Sequence, residues 1–441
     1  MLTATFVPLF LFTGATVHAA EQGEASEWKI IHAGQALLVP GEAPRQHISI
    51  VVRGDSIERV ADGYATAESL GAPDARVIDL DNAFVLPGLM DAHVHITSQG
   101  SRRISESFEA SRLLGAMRTP EELAVLGVAS ARDWLDAGYT TVRDVGADAG
   151  AVFALRDGIE SGIVPGPRIY AAGKSISPTG GHSDPPATLR VSSGDKEGVC
   201  DGATACIEET RRQIRNGADL IKLHATGGGS EETGSAEFAP SFTDEEFAAI
   251  IDTAHGLGRK VAAHAHGSTG INAALRAGVD SIDHGDGLND ESIELFLETG
   301  AYLVPTLSMV DALQRRVDAM AEFGETPFKS RYEGVIRTMP LEMGRAFKAG
   351  VKIAAGSDRH VSENTELQWY VRIGMSPGEA IVTTTTNVAQ LIGIDDRAGS
   401  LEPGKWADII AVAGNPVEDI QALDEVLFVM KDGKIHKLSS P

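Results

Sequence analysis

The chain has 441 residues, a formal net charge of -24 and 43% hydrophobic residues, which is the composition of an ordinary globular protein. This length accommodates a barrel of ~250 residues with a smaller appended domain. The acidic excess, with no Lys/Arg cluster to follow a phosphate backbone, excludes nucleic acid as a partner.

The first element is an apolar stretch, MLTATFVPLFLFTGATVHA, that ends in Val-x-Ala. It predicts a secretory signal peptide over residues 1–19 with cleavage after Ala19, although no Lys or Arg precedes the apolar residues. A disordered or membrane-tethering start is the alternative. No later apolar run approaches the ~20 residues of a transmembrane helix. We therefore expect an exported protein, periplasmic or secreted, without a stable membrane span.

Short strands separated by Gly, Asp and Pro turns are predicted near both ends of the mature chain. They are WKIIHAGQALLVP, HISIVVRGDSIERVADG and ARVIDLDNAFVLPG at one end, and WADIIAVAGN and VLFVMKDGKIHKL at the other. Lys431-Asp432-Gly433 is a hairpin type of turn. Two strand-rich flanks around a different middle predict one small composite β-sandwich domain, residues 28–87 plus 396–441.

The middle of the chain, residues 88–395, alternates apolar strands with amphipathic helices. The strands end in eight stretches, MDAHVHI, TTVRDVG, RIYAAGKSI, LIKLHATGG, VAAHAHG, SIDHGDG, YLVPTLS and KIAAGSDRH. In TDEEFAAIIDTAHGLG, Thr243 is a predicted N-cap, Glu246 completes a capping box, and Gly256 or Gly258 ends the helix. Eight repeats without Gly-x-Gly-x-x-Gly after the first strand predict an α/β fold, a (β/α)8 TIM-type barrel. Residues 310–350 are long enough for two helices or a lid.

Ionisable residues gather at the predicted C-terminal ends of these strands, where barrel enzymes keep their functional groups. They are His93, His95, Lys222, His224, His264, His266, His284, Asp286 and Asp358. Residues two apart on a strand share a face, so each pair points into the same cavity. A single buried histidine is more often a hydrogen-bonded core residue. Burying this many polar groups together is costly without cations, so the set predicts metal binding.

Lys222 determines the kind of metal site. A protonated amine repels divalent ions, so beside two of them a lysine must lose its proton or be carboxylated by carbon dioxide. The carbamate then has two oxygens that can bridge ions ~3.5 to 4 Å apart. The alternative is an ordinary lysine paired with Asp286 or another acid.

The sequence resembles the amidohydrolase superfamily, and within it the prolidase-like, Xaa-Pro dipeptidase-like carboxypeptidases that include ochratoxin-type amidases. The matching stretches are LPGLMDAHVHI, YTTVRDVG, SPTGGHSD, NGADLIKLHATGGG, VAAHAHG, AGVDSIDHGDG, YLVPTLS, AAGSDRH and GSLEPGKWADIIAV. They cover nearly the whole mature chain. His-x-His alone is a weak signal, but the ordered set of His-x-His, Lys, His, His and Asp is highly specific.

The resemblance implies two divalent metal ions. His93, His95 and Asp358 would hold one, His264 and His284 the other, and carboxylated Lys222 would bridge them. Zinc suits these donors, with manganese or cobalt as alternatives. By the same resemblance, a hydroxide between the ions would attack an amide carbonyl, and Asp358 would be the general acid and base. His182 would be a second catalytic residue, polarising that carbonyl.

Three departures from similar enzymes lie around the predicted pocket. Ser183 follows His182 where relatives often have glycine, His224 stands where they commonly have an apolar residue, and SDRHVSENTEL replaces a Gly-rich loop after Asp358. The predicted substrate-binding residues are His182, His224, His266, Asp286, Arg359 and His360. Arg359 could pair with a substrate carboxylate, with a solvated loop arginine as the alternative.

We therefore expect a binuclear metal amidohydrolase whose partner is a small molecule: a dipeptide, an N-acyl amino acid or an ochratoxin-type conjugate. One alternative is a cyclic-amide hydrolase of imidazolonepropionase type, which Lys222 disfavours because such relatives generally use one metal. The other is a non-catalytic exported binding barrel, which the complete ligand set disfavours. The sequence leaves open a homo-oligomer, and also whether Cys200 and Cys206 form a disulfide or remain free thiols.

Overall fold

The computed structural model describes residues 28–71, 74–97, 117–184, 197–227, 238–320, 326–358 and 364–439. The predicted signal peptide lies outside this part of the chain. The strands, in chain order, are β1 (Trp28–Ala36), β2 (Arg45–Arg53), β3 (Ser56–Asp62), β4 (Arg76–Pro87), β5 (Leu89–Val94), β6 (Tyr139–Asp144), β7 (Arg168–Ala171), β8 (Leu220–His224), β9 (Lys260–Ala265), β10 (Ser281–His284), β11 (Tyr302–Val304), β12 (Ile409–Val412), β13 (Val426–Lys431) and β14 (Lys434–Leu438).

The α-helices lie mainly between the parallel strands. They are α1 (Pro120–Asp136), α2 (Ala149–Glu160), α3 (Ala203–Asn216), α4 (Asp244–Gly256), α5 (Gly267–Ala277), α6 (Asp290–Thr299), α7 (Met309–Ala319), α8 (Pro327–Ala349), α9 (Thr365–Arg372), α10 (Pro377–Thr383) and α11 (Thr386–Ile392). Within the described residues, no helix is both long enough and apolar enough to cross a membrane.

Strands from the two ends of the chain do share one sheet, with the order β14-β13-β12-β4-β1-β2-β3. Its buried side chains, among them Ile50, Val85 and Phe428, form an apolar cluster of their own. The predicted hairpin turn is confirmed, because Lys431 pairs with Lys434 around Asp432 and Gly433. The two facing sheets of a sandwich are not seen among the described residues, where these strands form a single seven-stranded sheet. Alternating apolar and polar residues predict a strand with one buried face, but they do not predict how many sheets enclose the core.

The middle of the chain contains parallel strands connected by helices, as an α/β fold requires. In the part of the chain that the structure describes, they form a three-stranded sheet, β5-β6-β7, and a four-stranded sheet, β11-β10-β9-β8, and not one continuous eight-stranded barrel sheet. Up to Asp358, where the described part of the eighth predicted strand ends, its pairing is one parallel bridge between Leu303 and Ile353. Its next residues continue toward β5, where the Ala92 N–H donates to the Ala355 carbonyl at 2.7 Å.

Helix α4 forms as predicted from its caps. The Thr243 side chain accepts from the Glu246 N–H, and the Glu246 side chain accepts from the Thr243 N–H in return, which satisfies two N-terminal donors. Gly258, in the left-handed region at φ 71°, follows the C-terminal end. Phe247, Ile250, Ile251 and Ala254 are buried, and each large apolar side chain contributes about 1.5 to 3 kcal/mol.

The segment 310–350 contains the two helices α7 and α8. Thr326 caps α8 by accepting from the Lys329 N–H, and the helix ends at Gly350, whose φ is 92°. Glu342 on α8 accepts a hydrogen bond from the Gly287 N–H at 2.7 Å. Helix α8 therefore lies against the loop that follows β10.

Cys200 and Cys206, both buried, form a disulfide. It connects the first turn of α3 to the preceding segment, which pairs with the loop after β7 through the Cys200 N–H and the Ser177 carbonyl at 3.1 Å. The structure thus answers the question that the sequence left open about these two cysteines.

Candidate metal centre

Most candidate ligands lie at the carboxyl ends of parallel strands, which meet at one edge of a sheet. His93 is the next-to-last residue of β5, and His284 ends β10. Strand β9 pairs with both neighbours in parallel register, which aligns His264 with His224 on one side and with Asp283 on the other. The register therefore brings side chains from separate parts of the sequence together.

His93, His95 and Asp358 form the first ligand group. His95 Nε2 lies 3.3 Å and His93 Nε2 lies 3.6 Å from Asp358 Oδ1. A ligand atom from each of the three residues lies within 4.8 Å of the others, which is compact enough for one ion. The structure brings together the three residues that the family resemblance implied for the first metal.

The second group contains His264 and His284, together with His266, again with ligand atoms within 4.8 Å of one another. The His264 Nε2 atom is buried and has no hydrogen-bond partner among the described residues. A buried polar atom without a partner is costly, and coordination of a cation removes that cost. These residues therefore fit the metal that the sequence predicts here.

Hydrogen bonds orient two of these rings. His95 Nδ1 donates to the Gly146 carbonyl at 2.6 Å, and His284 Nδ1 lies 2.8 Å from Thr306 Oγ1. Because the Gly146 oxygen is only an acceptor, His95 Nδ1 carries a proton, which leaves Nε2 as the nitrogen that a metal ion can take. Such partners on the outer nitrogen are typical of metal-ligating histidines.

Burial and neighbouring charges set the protonation of the group. Burial, reinforced by the surrounding imidazoles, lowers the pKa of His264 and His284 well below the usual value, so both are neutral donors. Burial alone would raise the pKa of Asp358, but the contacts with His93 and His95 outweigh it and hold that pKa below its usual range. The neutral imidazoles of His264 and His284, together with an ionised carboxylate, are a suitable set for a divalent cation.

Three residues of the centre have left-handed backbone although none is glycine. They are His284 at φ 70°, Thr306 at φ 51° and Asp358 at φ 50°. This conformation costs of order 1 to 3 kcal/mol and persists only where surrounding structure imposes it, commonly at functional sites. The next residue, Gly285, also has positive φ, and a Cβ there would come within 2.7 Å of the Leu303 side chain.

Lys222 is buried and its Nζ contacts the Asp283 carboxylate. This is the pairing with another acid that the sequence left open, whereas Asp286 contacts His266 Nδ1 instead. Burial lowers the pKa of Lys222, although Asp283 opposes the shift. A lowered pKa increases the fraction of neutral amine, the form that reacts with carbon dioxide.

Asp283 and Arg143 belong to the centre but were missed from the sequence. Asp283 is fully buried, with Oδ1 3.1 Å from Arg143 Nη2 and Oδ2 3.3 Å from His93 Nδ1. Arg143 also donates from Nε to the Ala92 carbonyl at 2.5 Å and from Nη1 to Ser281 Oγ at 3.0 Å. The sequence signal that could have identified them is a charged residue inside an apolar strand, Arg143 in TTVRDVG and Asp283 in SIDHGDG.

The predicted substrate-binding residues are distributed unevenly. The half-buried His182 has its ring centroid 4.7 Å from those of both His224 and His264. His224 is buried, and His266, whose ring is part of the second ligand group, contacts Asp286. Arg359 and His360 lie outside the described residues.

Comparison with known proteins assigns the family. The amidohydrolase family model matches residues 84–436, which is most of the chain. The chain belongs to the amidohydrolase family. This membership indicates a hydrolase that acts on C–N bonds.

Individual relatives place this amidohydrolase with the prolidase-like and ochratoxinase-type members. Ochratoxinase from Aspergillus niger is 31% identical over 438 residues, covering 92% of this chain and 86% of its own. A Xaa-Pro dipeptidase solved with methionine in its active site is 36% identical, with a TM-score of 0.83 over 93% of this chain and 100% of its own. Imidazolonepropionase from Symbiobacterium thermophilum is 24% identical over 365 residues, 77% of each chain.

Proposed function

We propose that this amidohydrolase uses two divalent ions, of the Zn²⁺ class, to hydrolyse an amide bond in a dipeptide, an N-acyl amino acid or an ochratoxin-type conjugate. The observation that carries the proposal is the contact between the two ligand groups, whose His93 and His284 rings have centroids 5.0 Å apart. Lys222, carboxylated, is the proposed bridge between them. Both groups contain the residues that the family resemblance assigned to the two ions.

Bound ions of this kind would acidify a water molecule and polarise the substrate carbonyl. The chain's own residues position the remaining groups. The Asp358 carboxylate, held ionised by its imidazole neighbours, accepts a proton and passes it to the leaving nitrogen. We propose that His182, whose ring lies beside that of His264, donates toward the carbonyl oxygen.

We further propose that the two parallel sheets are parts of one (β/α)8 barrel and that the protein is exported. Backbone contacts between the sheets support the first proposal: Ile176 bridges to Leu223 on one side, and Ala92 bonds to Ala355 on the other. The disulfide supports the second, because disulfides persist mainly in oxidising compartments. Cleavage after Ala19 would be seen as a shortened N-terminus of the exported protein.

The choice of substrate class rests on the relatives and on Lys222. Ochratoxinase and the Xaa-Pro dipeptidase are the more similar relatives, whereas imidazolonepropionase is the more distant. A cyclic-amide hydrolase with one ion has no use for a bridging lysine. We therefore favour an acyclic amide whose leaving group is an amino acid.

A hydrolysis screen of the purified protein over Xaa-Pro, Xaa-Arg and N-acyl amino acids tests the proposal. Release of a free amino acid from at least one class is the expected result. Metal analysis of the same sample should find close to two ions per chain. One ion or none per chain in active protein would contradict the bridged centre.

Lys222→Ala separates a bridging ligand from a structural lysine. A lost bridge should reduce metal content and abolish hydrolysis, with partial rescue by short-chain carboxylic acids that replace the carbamate. Lys348→Ala, at an exposed position late in α8, is the matched control and should retain both metal and activity. An active Lys222→Ala protein with two ions would refute the bridge.

A further inference from the structure

A third imidazole group adjoins the two proposed ligand groups. Its ring centroids are 4.7 Å apart for His182 and His224, 4.7 Å for His182 and His264, and 5.1 Å for His224 and His264. A ligand atom from each ring lies within 4.8 Å of the other two, which is the same limit that the two proposed groups meet. By this criterion it is as suitable for a cation as they are.

The outer nitrogen of His224 is already held by the protein. Ser183 Oγ lies 2.8 Å from His224 Nδ1, and the Ser183 N–H donates to Ser177 Oγ at 3.1 Å. The same pattern holds His95 through Gly146 and His284 through Thr306. A partner on Nδ1 fixes the ring and leaves Nε2 for coordination.

The position of His264 connects this group to the proposed centre. His264 contacts four imidazoles, because the rings of His266 and His284 lie at 4.6 Å on one side while His182 and His224 lie on the other. Its Nε2 is the buried atom without a hydrogen-bond partner among the described residues. Three imidazoles are a donor set that binds Zn²⁺ with one position left for water or another ligand.

We propose that His182, His224 and His264 form an additional site for a divalent transition metal of the Zn²⁺ class, occupied at higher metal concentration than the catalytic ions. The proposal goes beyond amide hydrolysis but rests on the proposed centre for its effect, because His264 is also a proposed ligand of the second ion. A cation here takes both His264 and the carbonyl donor His182 away from catalysis. Excess zinc therefore inhibits the enzyme.

Anomalous diffraction locates the ion directly. Crystals equilibrated in graded Zn²⁺ should show a peak about 2.0 to 2.1 Å from imidazole nitrogens of His182 and His224. It should appear at zinc concentrations above those that fill the positions at His93 and His284. Peaks at those two positions, with none between His182 and His224 at saturating zinc, overturn the proposal.

The same experiment distinguishes failure of the additional site from failure of the proposed centre. A peak at His182 and His224 without peaks at the first two groups supports the additional site and contradicts the binuclear centre. The absence of all peaks contradicts both.

Zinc binding in solution provides a second readout that needs no crystal. Equilibrium dialysis should show that His224→Met loses one weakly bound ion per chain, whereas the exposed His255→Gln control keeps it. Ser183→Ala, which removes only the hydroxyl that holds His224, should weaken that ion's affinity about 10- to 100-fold. Equal zinc binding by all four proteins, wild type included, contradicts the site even if His224→Met is less stable.

Discussion

Asp283→Asn is the substitution that best tests the electrostatics of the centre. Asp283 has 0% relative exposure and contacts two cationic side chains, Lys222 and Arg143. Removing the carboxylate charge leaves both cations buried without their anion. Breaking a buried ion pair from one side costs about 3 to 5 kcal/mol, and we expect this loss in the metal-free protein.

Urea denaturation of the metal-free protein measures the effect. With a slope of roughly 3 kcal/mol per molar urea, the midpoint should fall by about 1 to 1.7 M. Asp290→Asn is the control, because Asp290 is 92% exposed and its contact with Arg345 at 2.9 Å is in water. The control should show no measurable shift.

The same substitution made in a Lys222→Met protein tests whether the broken ion pairs cause the lost stability. In Lys222→Met protein one of the two cations is absent, so Asp283→Asn should cost less by about 0.5 to 3 kcal/mol. Carboxylation makes Lys222 an anion, so the cost should also fall in protein loaded with metal and carbon dioxide. The same small midpoint shift for Asp283→Asn and Asp290→Asn would refute the buried ion-pair argument.

Three further predictions concern the proton shuttle, pH and the disulfide. Asp358→Asn should keep most bound metal but lose turnover, measured by metal analysis beside hydrolysis; an unchanged rate would remove Asp358 from the proton transfer. Burial raises the pKa of Glu366 from 4.5 to about 7. Between pH 4.5 and pH 7 the carboxyl is therefore protonated in the folded protein and ionised in the unfolded chain, so unfolding releases a proton. The free energy of unfolding should fall by about 3 kcal/mol as the pH rises through this range. Denaturation midpoints of Glu366→Gln should lack this part of the pH dependence, whereas those of the exposed control Glu298→Gln should retain it. Parallel pH profiles for wild type and Glu366→Gln would contradict the raised pKa of Glu366. Cys206→Ser should destabilise the oxidised protein by about 2 kcal/mol, as expected for a short closed loop; equal thermal midpoints before and after reduction of the wild type would disprove a stabilising disulfide.

Local patterns predicted much of what the structure contains. The caps of α4 and the hairpin at Asp432 and Gly433 depend on residues that are neighbours in sequence. The same holds for His-x-His on β5, where residues two apart share a face whatever the rest of the fold does. These features needed no knowledge of distant contacts.

The features that the sequence did not predict depend on distant partners. Asp283 contacts Arg143, which is 140 residues away in the sequence, and Lys222, which is 61 residues away. Residue spacing within one strand predicts neither contact. The alternative for Lys222 was a pairing with Asp286 or another acid, and the acid that contacts it is Asp283, three residues earlier in the chain than Asp286. Likewise, a pattern in which every second residue of a strand is buried cannot distinguish one seven-stranded sheet from two facing sheets.

The left-handed backbone at His284, Thr306 and Asp358 has a consequence for directed evolution of this enzyme. Glycine at any of the three positions would relieve local strain, so selection for heat resistance alone would favour variants that have lost a proposed ligand or the residue that orients one. Libraries screened for thermostability should therefore keep these codons fixed or score hydrolysis in the same round. Stabilising changes are better sought in the seven-stranded sheet, whose apolar cluster contains no proposed ligand.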